Sequence, residues 1–202
     1  MTSTPSALAT WLVVIDMQEV FGDPASPWAA PRFDEVIEPI RALCAAYAPR
    51  VVFTRYLAPA DPQGAWQPYF AQWPFAAQPP DSDLWTIVPA LADLPAQSWG
   101  IDGAGGTLDA ETFSKWGPAL GSLAGQEGRL VMTGVSADCC VIATALASAD
   151  AGIETWVVRE ATAGADDTTT GQALAIMALF DPLLKVVSSE EALAQAPAPL
   201  GV

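Results

Sequence analysis

Short apolar runs alternate with stretches of helical spacing along this chain, and the alternation predicts the fold. Trp11–Asp16 (WLVVID) is a continuous apolar run that ends on an acid. Too short for a core helix and apolar at successive positions, it reads as a strand buried on both faces. Arg32–Tyr47 then places Phe33, Val36, Ile37, Ile40 and Leu43 on one side of a helix. Further strand-like runs occupy Arg50–Thr54, Arg129–Val135, Ile153–Arg159 and Leu183–Val187, and helical patterns fill Asp138–Asp150 and Asp167–Phe180. Strands without a polar face, joined by helices, predict the α/β class: a three-layer sandwich whose central, mostly parallel sheet is flanked by helices on both faces.

The middle of the chain breaks this rhythm. Ala58–Ala90 carries Trp66, Tyr69, Phe70, Trp73, Phe75 and Trp85 among many prolines. It is too irregular for a sheet strand and too aromatic for a linker. Two readings stand side by side: a pocket wall or subunit contact, or a long loop whose aromatics anchor it to the core. With no internal repeat and no composition break, residues 1–202 are expected to form one domain. Residues 195–202, rich in Ala and Pro, are expected to form a frayed tail.

Composition narrows the function classes. Hydrophobic residues make up 51% of the chain, which a disordered protein would not carry. Eight basic residues face 23 acidic ones, a net charge of −15, which argues against nucleic acid and against anionic membrane surfaces as partners. The acidity reads as solubility. Three scattered cysteines, Cys44, Cys139 and Cys140, do not form a disulfide framework. The N-terminal stretch lacks a basic, long-apolar leader pattern, and no run approaches the ~20 apolar residues of a membrane span. A reducing cytoplasm is the expected location.

The chemistry is expected where strands end, because ligands of open α/β sheets bind beyond the carboxyl ends of the strands. Asp16 closes the first run and Arg55 the second. The Gly134-Val135-Ser136 turn closes another, with Cys140 following at a helix start. A cysteine in a first helical turn sits among unpaired N–H groups that favour a thiolate and so make it a nucleophile. The chain has no histidine, so a base must come from elsewhere, and Asp16 is the obvious supplier. A serine–histidine triad is excluded, no G-x-S-x-G elbow occurs, and Gly103–Gly106 lacks the context of a phosphate loop.

VVIDMQEVF near the start, VVFTR at the second strand, FSKW in the middle and LVMTGVSADCCVIATALASADAG follow one another in this order. Together they resemble the isochorismatase-like cysteine hydrolase family, in its amidohydrolase branch, over nearly the whole chain. The resemblance implies a hydrolase of small amide or carbamoyl C–N bonds that works through a thioester on an Asp–Lys–Cys triad. The Asp corresponds to Asp16, and the nucleophile, the cysteine immediately before Val, to Cys140. A non-proline cis peptide is implied between Val135 and Ser136, with Val135, Ser136 and Cys140 framing the oxyanion site. The lysine position aligns with Ala110, so the triad is expected to draw Lys115 from a shifted, shortened loop; Lys185, inside a predicted strand, lies away from the site. Gln18, Phe21, Arg55, Trp66, Trp73 and Trp116 are the substrate-binding candidates. Metal-dependent relatives use a histidine-containing site that a chain without histidine cannot form, so neither a metal nor a cofactor is expected. The expected partners are a small-molecule amide and further copies of the chain, as a homodimer or higher homo-oligomer.

Two other readings remain open at this point. One is the same fold performing cysteine-independent, isochorismatase-type hydrolysis with Asp16 as acid. The other is a catalytically degenerate member acting as an oligomeric binding or scaffold protein, for which the alanine at position 110 speaks.

Overall fold

A computed structural model describes residues 9–98, 106–125 and 127–197. Six strands, β1 Thr10–Ile15, β2 Val51–Tyr56, β3 Thr107–Ala110, β4 Arg129–Gly134, β5 Glu154–Thr162 and β6 Leu184–Val187, form one sheet in the order β3-β2-β1-β4-β5-β6. Every neighbouring pair is parallel. Around it lie α1 Glu19–Gly22, α2 Phe33–Tyr47, α3 Trp66–Gln72, α4 Pro118–Ala124, α5 Ile142–Asp150, α6 Asp167–Ala178 and α7 Ser189–Ala194. Part of the tail, residues 198–202, and most of Gly103–Gly106 lie outside the described residues.

The three layers follow from the strand period of two. On β1, Leu12 and Val14 point into a core shared with Val36, Ile40 and Leu43 of α2 and Ala192 of α7. Trp11, Val13 and Ile15 point into a second core with Leu120 of α4, Ala145 and Ala149 of α5, and Ala173 and Met177 of α6. A strand enclosed by two cores has no polar face, which is why WLVVI is apolar throughout.

Strand order reverses between β1 and β4: β2 and β3 extend the sheet on one side, β5 and β6 on the other. The chains leaving such neighbours diverge over opposite faces, and the crevice between them is where α/β sheets place their ligands. β1 and β4 run in register from Thr10 opposite Arg129 to Ile15 opposite Gly134, so Asp16 and the turn after Gly134 emerge side by side. Gly134 makes that approach possible. Its φ is +102°, and a Cβ there would sit 2.0 Å from the Ile15 carbonyl oxygen.

The aromatic segment is ordered and partly helical. α3 begins inside it, with Pro68 in the first turn where its missing N–H costs no helix bond. Short 3₁₀ turns at Pro74–Ala76, Asp83–Trp85 and Pro89–Leu91 follow, and an antiparallel bridge from Ile87 to Gln18 ties it to the end of β1.

Candidate active site

Asp16 follows β1 with φ +49°, a left-handed conformation that costs a non-glycine residue about 1–3 kcal/mol. Thr54 of β2 holds it there: the Thr54 hydroxyl donates to Asp16 Oδ1 (2.6 Å) and accepts from the Asp16 N–H (3.2 Å). Oδ2 of the same carboxylate lies 2.9 Å from Lys115 Nζ, with both side chains fully removed from solvent. Lys115 arrives on the loop between β3 and α4, while Ala110 ends β3 with its carbonyl bonded to the Leu57 N–H. The lysine that pairs with Asp16 therefore stands five residues beyond Ala110. Its ammonium also donates to the Thr112 carbonyl (2.9 Å) and lies 5.2 Å from the centre of the Tyr56 ring. Oδ2 accepts no well-directed hydrogen bond, which leaves a buried carboxylate oxygen with capacity for a proton.

The other half of the site follows β4. The Val135–Ser136 peptide is cis, and Ala137–Val141 forms a single π-helical turn before α5. The Val135 N–H is engaged by the Ile15 carbonyl (2.9 Å) and is not available to a ligand; of the residues framing the turn, Ser136 and Cys140 face the cavity. Cys140 is 2% exposed, whereas Cys139 is half-buried. Thr144 stitches the halves together. Its hydroxyl donates to the Cys140 carbonyl (2.7 Å) and accepts from the Lys115 N–H (2.9 Å). Asp138 accepts from the Ala165 N–H beyond β5 (3.2 Å).

The surroundings of the two thiols run against one sequence expectation, a thiolate poised at Cys140. Its hydrogen bonding with Cys139, burial and the nearby Asp16 charge push the Cys140 pKa well above the ordinary thiol value, against an opposing pull from Lys115. Cys139 is the more acidic partner, lowered chiefly by its hydrogen bonding with Cys140. A helix-start position promised a lowered pKa at Cys140; the neighbouring carboxylate and the adjacent thiol outweigh it.

Above Cys140 opens a cavity of about 370 Å³. Phe21, Trp28, Tyr56, Tyr69, Trp73 and Phe113 wall it, with Ser136, Asp138, Cys139 and Cys140 on the remaining side. Trp28 is the hub of the aromatic wall: its ring stacks on Phe21 (6.3 Å between centroids) and meets Trp73, Tyr69 and Tyr56 at 6.1–6.2 Å.

A sequence model of the isochorismatase domain matches residues 10–191. The chain belongs to the isochorismatase family of hydrolases. No curated protein sequence matches it. Solved structures of the same fold include a cysteine hydrolase from Pseudomonas syringae pv. phaseolicola 1448A (TM-score 0.74, 17% identity, covering 96% of this chain and 98% of that one). N-carbamoylsarcosine amidase from Thermoplasma acidophilum aligns with TM-score 0.66 and 18% identity over 90% of this chain and 96% of its own. Pyrazinamidase of Pyrococcus horikoshii, solved with zinc, aligns with TM-score 0.66 and 24% identity over 89% of this chain and 99% of its own. The present chain has no histidine, and among the described residues no three Cys, Asp or Glu side chains converge.

The cavity divides the substrate-binding candidates. Phe21 and Trp73 line the cavity. Gln18 does not. It is fully buried, and its amide accepts from the Tyr56 N–H and donates to the carbonyls of Tyr56 and Trp85, a clamp between β1, β2 and the aromatic segment. Arg55 lies within β2 rather than at its end, and Asp109 of β3 holds its guanidinium through two hydrogen bonds (2.9 and 2.6 Å). Trp66 stands behind the wall against Tyr69 and Phe113. Trp116 packs by Gly121 at a separate surface depression. Sequence reasoning missed Trp28, Tyr56, Thr54 and Thr144. For Trp28 a signal existed, an aromatic in the Pro-rich loop just after the Asp16 motif; the two threonines carry none, since their roles depend on who lies opposite.

Proposed function

We propose that this chain is a cysteine-dependent hydrolase of a small amide or carbamoyl C–N bond, working through a thioester with Asp16, Lys115 and Cys140 as its triad. One observation carries the reading: a fully buried Asp16–Lys115 ion pair lies near enough to Cys140 for both charges to act on its thiol, and Cys140 itself lines a cavity sized for a small molecule. A buried ion pair is poor economy for stability alone, and its placement at the strand-order reversal is where chemistry belongs. The amidases among the structural neighbours support the substrate class.

Cys140 rests as a thiol, so it needs a base at the moment of attack. Asp16 takes the thiol proton as sulfur bonds to the carbonyl carbon. The N–H groups of Ser136 and Cys140 hold the developing oxyanion, a contribution of about 3 kcal/mol per donor. Asp16 passes its proton to the leaving nitrogen as the C–N bond breaks, leaving a thioester. It then takes a proton from water, whose oxygen attacks the acyl carbon, and returns it to sulfur as the acid departs. Lys115 orients the carboxylate and balances its charge throughout. Thr54 and Thr144 position the two halves.

Three unpaired cysteines among the described residues support a reducing, cytoplasmic location, and no described helix is long and apolar enough to cross a membrane. A homo-oligomer is part of the same proposal; exposed Ile176, Leu179, Phe180 and Leu183, where α6 turns toward β6, offer it an apolar surface. The test of the chemistry is ammonia release from a panel of small amides by wild type, Cys139→Ala and Cys140→Ala. Turnover lost in Cys140→Ala and retained in Cys139→Ala is the expected result. Turnover surviving in Cys140→Ala would return the cysteine-independent reading.

A further inference from the structure

The wall of the cavity has a chemistry of its own that the hydrolytic reading does not use. Six aromatic rings line it; Tyr69 and Trp73, from α3 and its C-terminal end, meet Trp28 from the loop after α1. The one charged side chain among the residues that line it is a carboxylate. Asp138 presents a half-buried carboxylate that accepts from the backbone N–H of Ala165. Tyr56, 1% exposed, also lines it, and its buried hydroxyl has no hydrogen-bond partner among the described residues. None of the chain's eight basic side chains lines the cavity. The nearest, Lys115, is already balanced by Asp16, and Arg55, which could have reached for an anion, is held by Asp109. An anionic substituent would enter a site with no counter-charge, inside a protein of net charge −15. A ring cluster with negative faces, closed on one side by a carboxylate, is the arrangement that holds a positively charged nitrogen.

We infer that the substrate of this site carries a cationic nitrogen, quaternary or protonated, opposite its scissile amide, held by Trp28, Tyr69 and Trp73 and by Asp138. This rests on the amidase reading for the position of the scissile bond and goes beyond it in naming the charge of the other end. The carboxylate and the rings lie on the cavity side of Cys140, so the cation anchors the molecule while its carbonyl reaches the sulfur. The electrostatic field of the whole chain adds to the selection by drawing cations toward the cavity mouth.

The experiment compares isosteres that differ only in charge. Choline and 3,3-dimethyl-1-butanol are titrated into the wild-type protein, read by tryptophan fluorescence and by protection of Cys139 from iodoacetamide. Choline should bind roughly tenfold tighter or better, and the margin should shrink as salt rises. Asp138→Asn, which keeps an acceptor for the Ala165 N–H, should cut that margin severalfold while leaving the neutral alcohol's affinity in place. Equal affinities, tighter binding of the alcohol, or no binding of either at millimolar concentration would overturn the inference. In parallel, ammonia release is measured from betaine amide and its neutral isostere 3,3-dimethylbutanamide. A choline preference without hydrolysis of either amide would sink the amidase reading and leave the ligand class standing. Hydrolysis of the neutral amide without a choline preference would do the reverse.

Discussion

At the scale of single residues the site is a set of buried groups that make sense only together. Asp16 and Lys115 are each expensive to bury alone and tolerable as a pair. Lys115→Met should therefore destabilise the fold by about 3–5 kcal/mol, because it strands a buried carboxylate. The double variant Asp16→Asn/Lys115→Met should recover most of that stability and none of the activity. Urea unfolding beside an amide assay checks both; a double variant no more stable than the single one would mean the pair is not the coupled unit described here. The thiols allow a second residue-scale prediction. Cys139 is half-buried with a lowered pKa, Cys140 is enclosed with a raised one, and Cys44 is pushed up to about 12 by burial. A lowered pKa means thiolate appears below the ordinary thiol range, so alkylation of the free protein should mark Cys139 first, at a pH where Cys140 and Cys44 are still silent. Peptide mass spectrometry against pH reads this directly, and fast labelling of Cys140 in the free protein would refute it.

Secondary-structure elements decide which of these residues can meet. Gly134 is the hinge of the arrangement: its left-handed φ and the 2.0 Å clearance to Ile15 leave no room for a methyl group. Gly134→Ala should cost at least about 3 kcal/mol through strain and displacement, seen as a lower urea midpoint, and should disturb activity even where the protein stays folded. At this scale the sequence was legible where the hydrophobic pattern was long. WLVVID, the α2 stripe and the strand–turn–helix around Cys140 all appear where their patterns place them. Shorter or mixed signals hid the rest. β3 is four residues, TLDA, with half its positions polar. α3 carries a proline and aromatic residues that favour helix weakly. Arg55 looked free because its partner, Asp109, belongs to that unrecognised strand. The Asp16–Lys115 pair could be expected from the family resemblance, yet nothing in the spacing showed how a lysine five residues past Ala110 would reach the carboxylate; the loop before α4 settles it.

Over the whole molecule, charge is the dominant unspent force. Surface ion pairs such as Arg32–Glu35 and Arg41–Asp93 involve exposed side chains and contribute little. A net charge of −15 leaves long-range self-repulsion that salt screens. Raising sodium chloride from about 20 to about 300 mM should lift Tm by roughly 2–4 °C, the equivalent of about 1 kcal/mol in a chain of this size. A Tm that falls with salt would mean that attractive pairs outweigh the repulsion. The strand order is the other whole-molecule fact. It brings the ends of β1 and β4 together, so residues far apart in the sequence emerge side by side.

The central claim is that Cys140 forms the covalent bond, although Cys139 is the more acidic thiol. The most direct measurement is acid-quenched peptide mass spectrometry during turnover of whichever small amide releases ammonia fastest. The acyl group should be found as a thioester on Cys140, persist in Cys139→Ala and vanish in Cys140→Ala, with turnover falling more than about 10³-fold in the latter. An acyl group on Cys139, or steady turnover with no acyl-enzyme and no loss in Cys140→Ala, would contradict the account.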